Sequence, residues 1–236
     1  MLGILTNLYN YAFDTTRPAP MSAKQANRLL GHIALALVVF TVVAFGTKAI
    51  AISSVQARYT PLVIFHAGAM LAWMSLLASQ AYLASAGRMS LHKRFGTTSL
   101  GLVAAMTISG AIISINIGQE LGRPEVTVVN IAAFVTFIPL YFAAIHFARS
   151  HQMHAHRQAM LIGTLAFMTP VYARVTDVIG LPPQVAIGVQ PPITIAIALG
   201  YEWAALGRIG RAVIAMLSFS IGVVVTMAGM LVVWFL

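Results

Sequence analysis

The sequence contains no cysteine, and among its 236 residues only five are acidic: Asp14, Glu120, Glu125, Asp177 and Glu202. The first absence excludes disulfides, thiolate zinc sites, iron–sulfur clusters and covalently attached c-type heme. The second excludes an oxygen-ligand cage for calcium, because the acids are few and scattered. Charge of either sign is scarce. Charged residues make up 8% of the chain, against about 25% in an ordinary soluble domain. Such a chain cannot cover its own surface in water.

What is present is apolar: 59% of the residues are hydrophobic. A bilayer core about 30 Å thick needs roughly 20 such residues per helix, with every backbone polar group paired inside the segment. Seven stretches qualify: 29–51, 60–86, 95–117, 127–148, 158–179, 188–206 and 210–235. The expected fold is therefore an all-α polytopic transmembrane bundle. The seventh stretch carries no charge from Ala212 to Leu236, and Trp234 and Phe235 suit an interfacial belt. The sixth, opened by Pro191 and Pro192, is the shortest, and six spans plus a re-entrant piece is its alternative. Residues 1–28 form a separate unit, an interfacial helix or a tail on the cytoplasmic side, and 29–236 form the bundle. The opening residues lack the basic start and small-residue cleavage site of a signal peptide.

The net charge of +9 suits membrane flanks and anionic lipid, and nucleic acid is not an expected partner. Ten of the fourteen Lys and Arg residues fall on one side of the seven-span reading: Arg17, Lys24, Arg28, Arg88, Lys93, Arg94, Arg149, Arg157, Arg208 and Arg211. The positive-inside bias places that side, and the N-terminus, in the cytoplasm.

Histidine is the residue type that invites chemistry. His66, Trp73 and Gln80 recur every seven residues and share one stripe of the second stretch, which should face other helices. His92 in SLHKRFG and His156 in HAHRQAM each precede a base at the start of an odd-numbered span. They belong to two hairpins that form a faint repeat, in which His66 corresponds to Asn130. A heme between helices needs two imidazoles at one depth with bases for its propionates, and Lys93, Arg94 and Arg157 fit that role. His146 lies in the last turn of the fourth stretch, while His151 and His154 fall in a loop and should face water. The bland alternative is a basic helix start produced by the positive-inside rule alone. Packing features complete the reading. Gly101, Ala105 and Ser109 form a small-residue face, Arg174 and Asp177 are spaced to pair, Pro170 should kink its helix, and the methionines fill apolar gaps.

The string FHAGAMLAWMSLLASQAYLASAGRMSLHKRFG, with HAHRQAMLIGTLAFMTPVYAR and YEWAALGRIGRA, resembles a large group of uncharacterised bacterial multi-pass membrane proteins. Departures from its pattern are Gly210 where a His is common and Glu202 where an Asp is. The resemblance implies a fold and a bacterial inner-membrane location. A more distant likeness is to diheme b-type cytochromes that hold heme between their second to fifth helices. It matches at His66, His92 and His156, and places Asn130 where the outer partner is wanted; His146 is on the fourth stretch at the other end. Two functions follow. The leading expectation is an accessory or scaffold subunit in contact with lipid and other membrane protein subunits, with no catalysis of its own. The alternative is a b-type electron carrier with heme b as cofactor.

Overall fold

The computed structural model describes residues 19–120, 122 and 124–235, apart from the side chains of residues 55, 183, 234 and 235. Most of the N-terminal unit, Arg123 of the charge count and the Trp234–Phe235 belt lie outside what is described. The chain is helical: α1 (Ala23–Ala51), α2 (Pro61–Ser85), α3 (Met89–Glu120), α4 (Pro124–Arg149), α5 (Met153–Leu165), α6 (Thr169–Val178), α7 (Pro183–Leu206) and α8 (Arg211–Phe235). Short 3-10 segments cover Ser53–Arg58 and Ala166–Met168. Among the described residues there is no strand. Helices α5 and α6 together make one span, so seven segments are long and apolar enough to cross a membrane. The protein is a multi-pass membrane protein whose apolar helices face lipid.

Local sequence sets the helix ends. Ser22 and Gln25 form a capping box at the start of α1, with Ser22 N–H donating to Gln25 Oε1 at 2.9 Å. Thr60 caps α2 from in front of Pro61, whose missing N–H costs nothing at that position. Gly207 ends α7 at φ +65°, a conformation open to glycine.

Six spans form a ring in the order α1, α2, α3, α4, α8, α7, which closes back on α1 around the α5–α6 span. That central span is 72% buried, against 22–33% for the others. Its polarity follows from this position. Gln158, Thr164, Thr169 and Thr176 are tolerated because they face protein, where partners exist, and not acyl chains. The ring helices turn Val39, Phe65, Ile108, Phe142 and Val225 outward.

The expected kink at Pro170 is realised one turn earlier. The helix tightens to 3-10 at Ala166–Met168, because Pro170 has no N–H for the carbonyl of Ala166 and its ring crowds that carbonyl. Gln190 of α7 repairs the defect. Its Nε2 donates to the carbonyls of Ala166 (3.2 Å) and Leu165 (3.3 Å), and its Oε1 accepts from Thr169 Oγ1 at 2.6 Å. Helix α7 itself runs unbroken through Pro191 and Pro192, which resolves the weakest sixth stretch as a full span.

Two packing expectations are corrected. Asp177 pairs with Lys48 of α1, not with Arg174. Three residues along a helix turn the two side chains about 60° apart, and α1 supplies a closer cation. Arg174 instead lies over the Phe45 ring, 4.7 Å from its centroid. The close approach expected at Gly101 is absent, since a Cβ there would meet nothing within 4 Å. Close contact falls at Gly110, where a Cβ would stand 2.5 Å from Phe134 and 2.7 Å from His66.

Seven spans require that reporters fused within 150–153 and after Leu236 report opposite sides, with the former cytoplasmic by the charge bias. Reporters on one side overturn the span count. Gln190→Leu should lower the thermal stability of the detergent-purified protein by about 1–3 kcal/mol, because buried carbonyls and Thr169 lose their partner.

Candidate histidine sites at one end of the bundle

The end of the bundle at which α1 begins also holds the end of α2, the start of α3 and the α4–α5 connection. It gathers six of the seven histidines: His32, His92, His146, His151, His154 and His156. The structure sorts them into different environments.

His92 and His156 meet. Their ring centroids are 6.4 Å apart with planes crossed at 77°. His92 Nδ1–H donates to the carbonyl of Gln80 at 3.2 Å, and His156 Nδ1–H donates to the carbonyl of Ala144 at 2.9 Å. In each case the acceptor lies 12 residues earlier, on the preceding helix. Both donor and acceptor are displaced by the 64-residue offset of the two hairpins. Trp73 and Phe137, separated by the same offset, also touch, at 5.0 Å between centroids. Equivalent residues that meet each other place a pseudo-two-fold axis along the bundle between them. The faint repeat in the sequence is thus a structural one. Each imidazole is half-buried, and neither Nε2 has a hydrogen-bond partner among the described residues.

Beneath the pair the core is aromatic. Trp73 contacts Phe137 and Tyr141, and Phe137 contacts Phe167 at 4.7 Å. Trp73 Nε1–H donates to Thr164 Oγ1 at 3.1 Å, and Tyr141 O–H donates to Ser99 Oγ at 2.8 Å. These bonds tie α2 to α5 and α4 to α3. Gln80 completes the stripe expected on α2. Both of its amide atoms are buried without a partner, and its Nε2 lies 4.0 Å from where a Cβ on Gly96 would be.

His66 lies towards the other end, 26 residues before His92 in the chain. Its Nδ1–H donates to Ser109 Oγ at 2.9 Å, since that hydroxyl already donates to the Ala105 carbonyl. His66 and Phe134 converge on Gly110, and Phe134 stacks edge-on with Phe167 at 5.4 Å. His146 is exposed in the last turn of α4, beside Ser150. Neither His66 nor His146 joins the pair.

His151 is exposed and adopts φ +58° in the connection, as a solvated turn residue. His154 departs from the expectation of water. Its Nε2–H donates to Glu202 Oε2 at 2.5 Å, and its ring stacks on Tyr201 at 6.0 Å with planes 2° apart. Glu202 is 2% exposed and also accepts from Gln158 Nε2 (2.6 Å) and Gly210 N–H (3.1 Å). A Cβ on Gly210 would stand 2.8 Å from Glu202 Oε1, so glycine leaves room for that bond. Helical order explains the surprise. The loop is shorter than it looks, α5 begins at Met153, and His154 therefore faces α7. Arg157, about one turn further along that helix, donates to Asn27 Oδ1 at 3.1 Å and is so tied to α1. Among the described residues no three His, Asp or Glu converge on one point.

No known protein family, curated protein or solved structure matches this chain.

Glu202→Ala should strip three donors of their acceptor and lower stability by on the order of 3 kcal/mol. Thermal unfolding in detergent measures it, and a variant as stable as the parent would show that the network carries no weight.

Proposed function

We propose that this protein is a b-type membrane electron carrier with one heme held between α3 and α5 by His92 and His156. The observation that carries this reading is the pair of rings 6.4 Å apart, each with Nδ1–H engaged and Nε2 free. Two imidazoles on one iron, each nitrogen about 2 Å from the metal, place their ring centres roughly 6–6.5 Å apart. A carbonyl accepting from Nδ1–H is a usual means of presenting Nε2 to a metal. When bound, the heme supplies reversible one-electron transfer.

The chain's own residues do the rest. Carbonyls of Gln80 and Ala144 hold the rings in one tautomer, so little ordering is left to binding. Lys93 and Arg94 are exposed beside His92 and suit carboxylate groups at the membrane surface. Arg157 fits that role less well, because Asn27 holds it. Tyr141, Trp73 and Phe137 form an apolar floor that keeps water from the bundle interior. The outer level does not fit a second heme. His66 faces no imidazole, Asn130 stands at its equivalent position, and Phe134 fills the space against Gly110.

The accessory-subunit reading led on sequence alone, but it gives no reason for two imidazoles with matched anchors to meet at a symmetry axis. The basic flanks favour a cytoplasmic-side site, and the resemblance to bacterial multi-pass proteins favours an inner membrane. A neighbouring membrane subunit fits as the electron partner.

The visible spectrum of protein purified with heme supplied, oxidised and then reduced with dithionite, tests the proposal. A Soret band is expected that His92→Ala or His156→Ala abolishes, and that His151→Ala and His146→Ala leave intact. A parent protein without the band, folded by circular dichroism, overturns the proposal in favour of the accessory subunit.

A further inference from the structure

Helix α1 changes character along its outer flank. Lys24, Arg28 and His32 follow one another every four residues, and all three are exposed. Directly beyond them Leu35, Ala36, Val39, Phe40 and Val43 line, with His32, an open groove of about 540 Å³. Helical geometry puts the bases and the groove on one side. At 100° per residue, Arg28, His32, Leu35, Val39 and Val43 fall within about 80° of one another.

His32 is held in place. Its Nδ1 is 2.9 Å from Tyr82 Oη, and the two rings meet edge-on at 5.7 Å. Tyr82 reaches it because residue 31 is glycine, where a Cβ would stand 2.9 Å from the tyrosine ring. The Nε2 of His32, the Arg28 guanidinium and the Lys24 ammonium have no partner among the described residues. A fixed imidazole and two free cations therefore stand above an apolar groove.

We propose that this flank of α1 binds one anionic phospholipid, with its phosphate at Arg28 and His32 and an acyl chain along the groove. Charge complementarity selects the headgroup. Basic residues at a membrane flank favour anionic lipid by about fivefold each, and repel the cationic group of a zwitterionic one. Dimensions agree. Lys24 to His32 covers about 12 Å and His32 to Val43 about 16 Å along the helix, the latter close to the roughly 15 Å of one leaflet's hydrocarbon. A second copy of the chain is the poorer occupant, because a two-fold contact here sets the same three bases against themselves. The site is independent of the heme proposal.

Native mass spectrometry of the full chain in detergent tests it, with dioleoylphosphatidylglycerol and dioleoylphosphatidylcholine as probes. The parent should retain one phosphatidylglycerol about tenfold better than phosphatidylcholine. Arg28→Gln with His32→Gln should bring the two lipids within about twofold, at unchanged helical content. Ala36→Trp, which fills the groove and leaves the bases, should weaken both. Equal retention of the two lipids by the parent overturns the proposal. So does an undiminished preference in the double variant, or cross-linking of Val39→Cys that shows the groove closed by a second copy.

Discussion

A backbone carbonyl inside a bilayer has no water to turn to, and that constraint governs this molecule. The six continuous helical spans largely satisfy it within themselves, even where α4 carries Pro139 and α7 carries Pro191 and Pro192. The seventh does not satisfy it alone. Pro170 breaks the ladder in the middle of the α5–α6 span, and the freed carbonyls must find donors in the protein. Burial of that span inside a ring of six makes the break tolerable, because Gln190 can reach it from α7. The same region encloses a cavity of about 10 Å³ bordered by Thr136, Thr169, Gln190 and Ser220. It is the size of one water molecule and polar enough to hold one.

The polar end of the bundle follows the same logic. Glu202 is a carboxylate sunk among helices, and it is acceptable there because His154, Gln158 and the N–H of Gly210 converge on it. These bonds clamp α5 to α7 and to the start of α8. Tyr201 O–H and Met21 N–H add bonds to the carbonyls of Ala26 and Ala205, and so draw the start of α1 to α7. The His92–His156 pair is therefore flanked by a fixed polar frame. Two histidines on α5 do different work: His154 locks the frame, while His156, rotated about 200° further round the helix, faces the symmetry axis.

That axis links the fold to the proposed function. Duplicated hairpins bring equivalent residues together, so a single imidazole per repeat suffices to make a pair, just as Trp73 and Phe137 make an aromatic one. At the other level the repeats have diverged. Asn130 offers no second imidazole for His66, and Phe134 has taken the space. The His92–His156 pair lies at the level nearer the basic flank.

The amino-acid sequence by itself determined the class and the span count, because length and polarity against a fixed bilayer thickness leave few options. It also determined the inward stripe of His66, Trp73 and Gln80, and the depth match of His92 and His156, since helical period and hairpin offset are local. Tertiary structure alone decided the partners. The exchange of Arg174 for Lys48 beside Asp177, the reach of Gln190 to a broken turn 24 residues away and the contact of His154 with Glu202, 48 residues on, all depend on which helices neighbour one another. The ring order that places α7 against both α1 and the central span is not written in any one segment. It emerges from packing seven apolar faces so that one of the two least apolar spans lies innermost and the other, α7, packs directly against it.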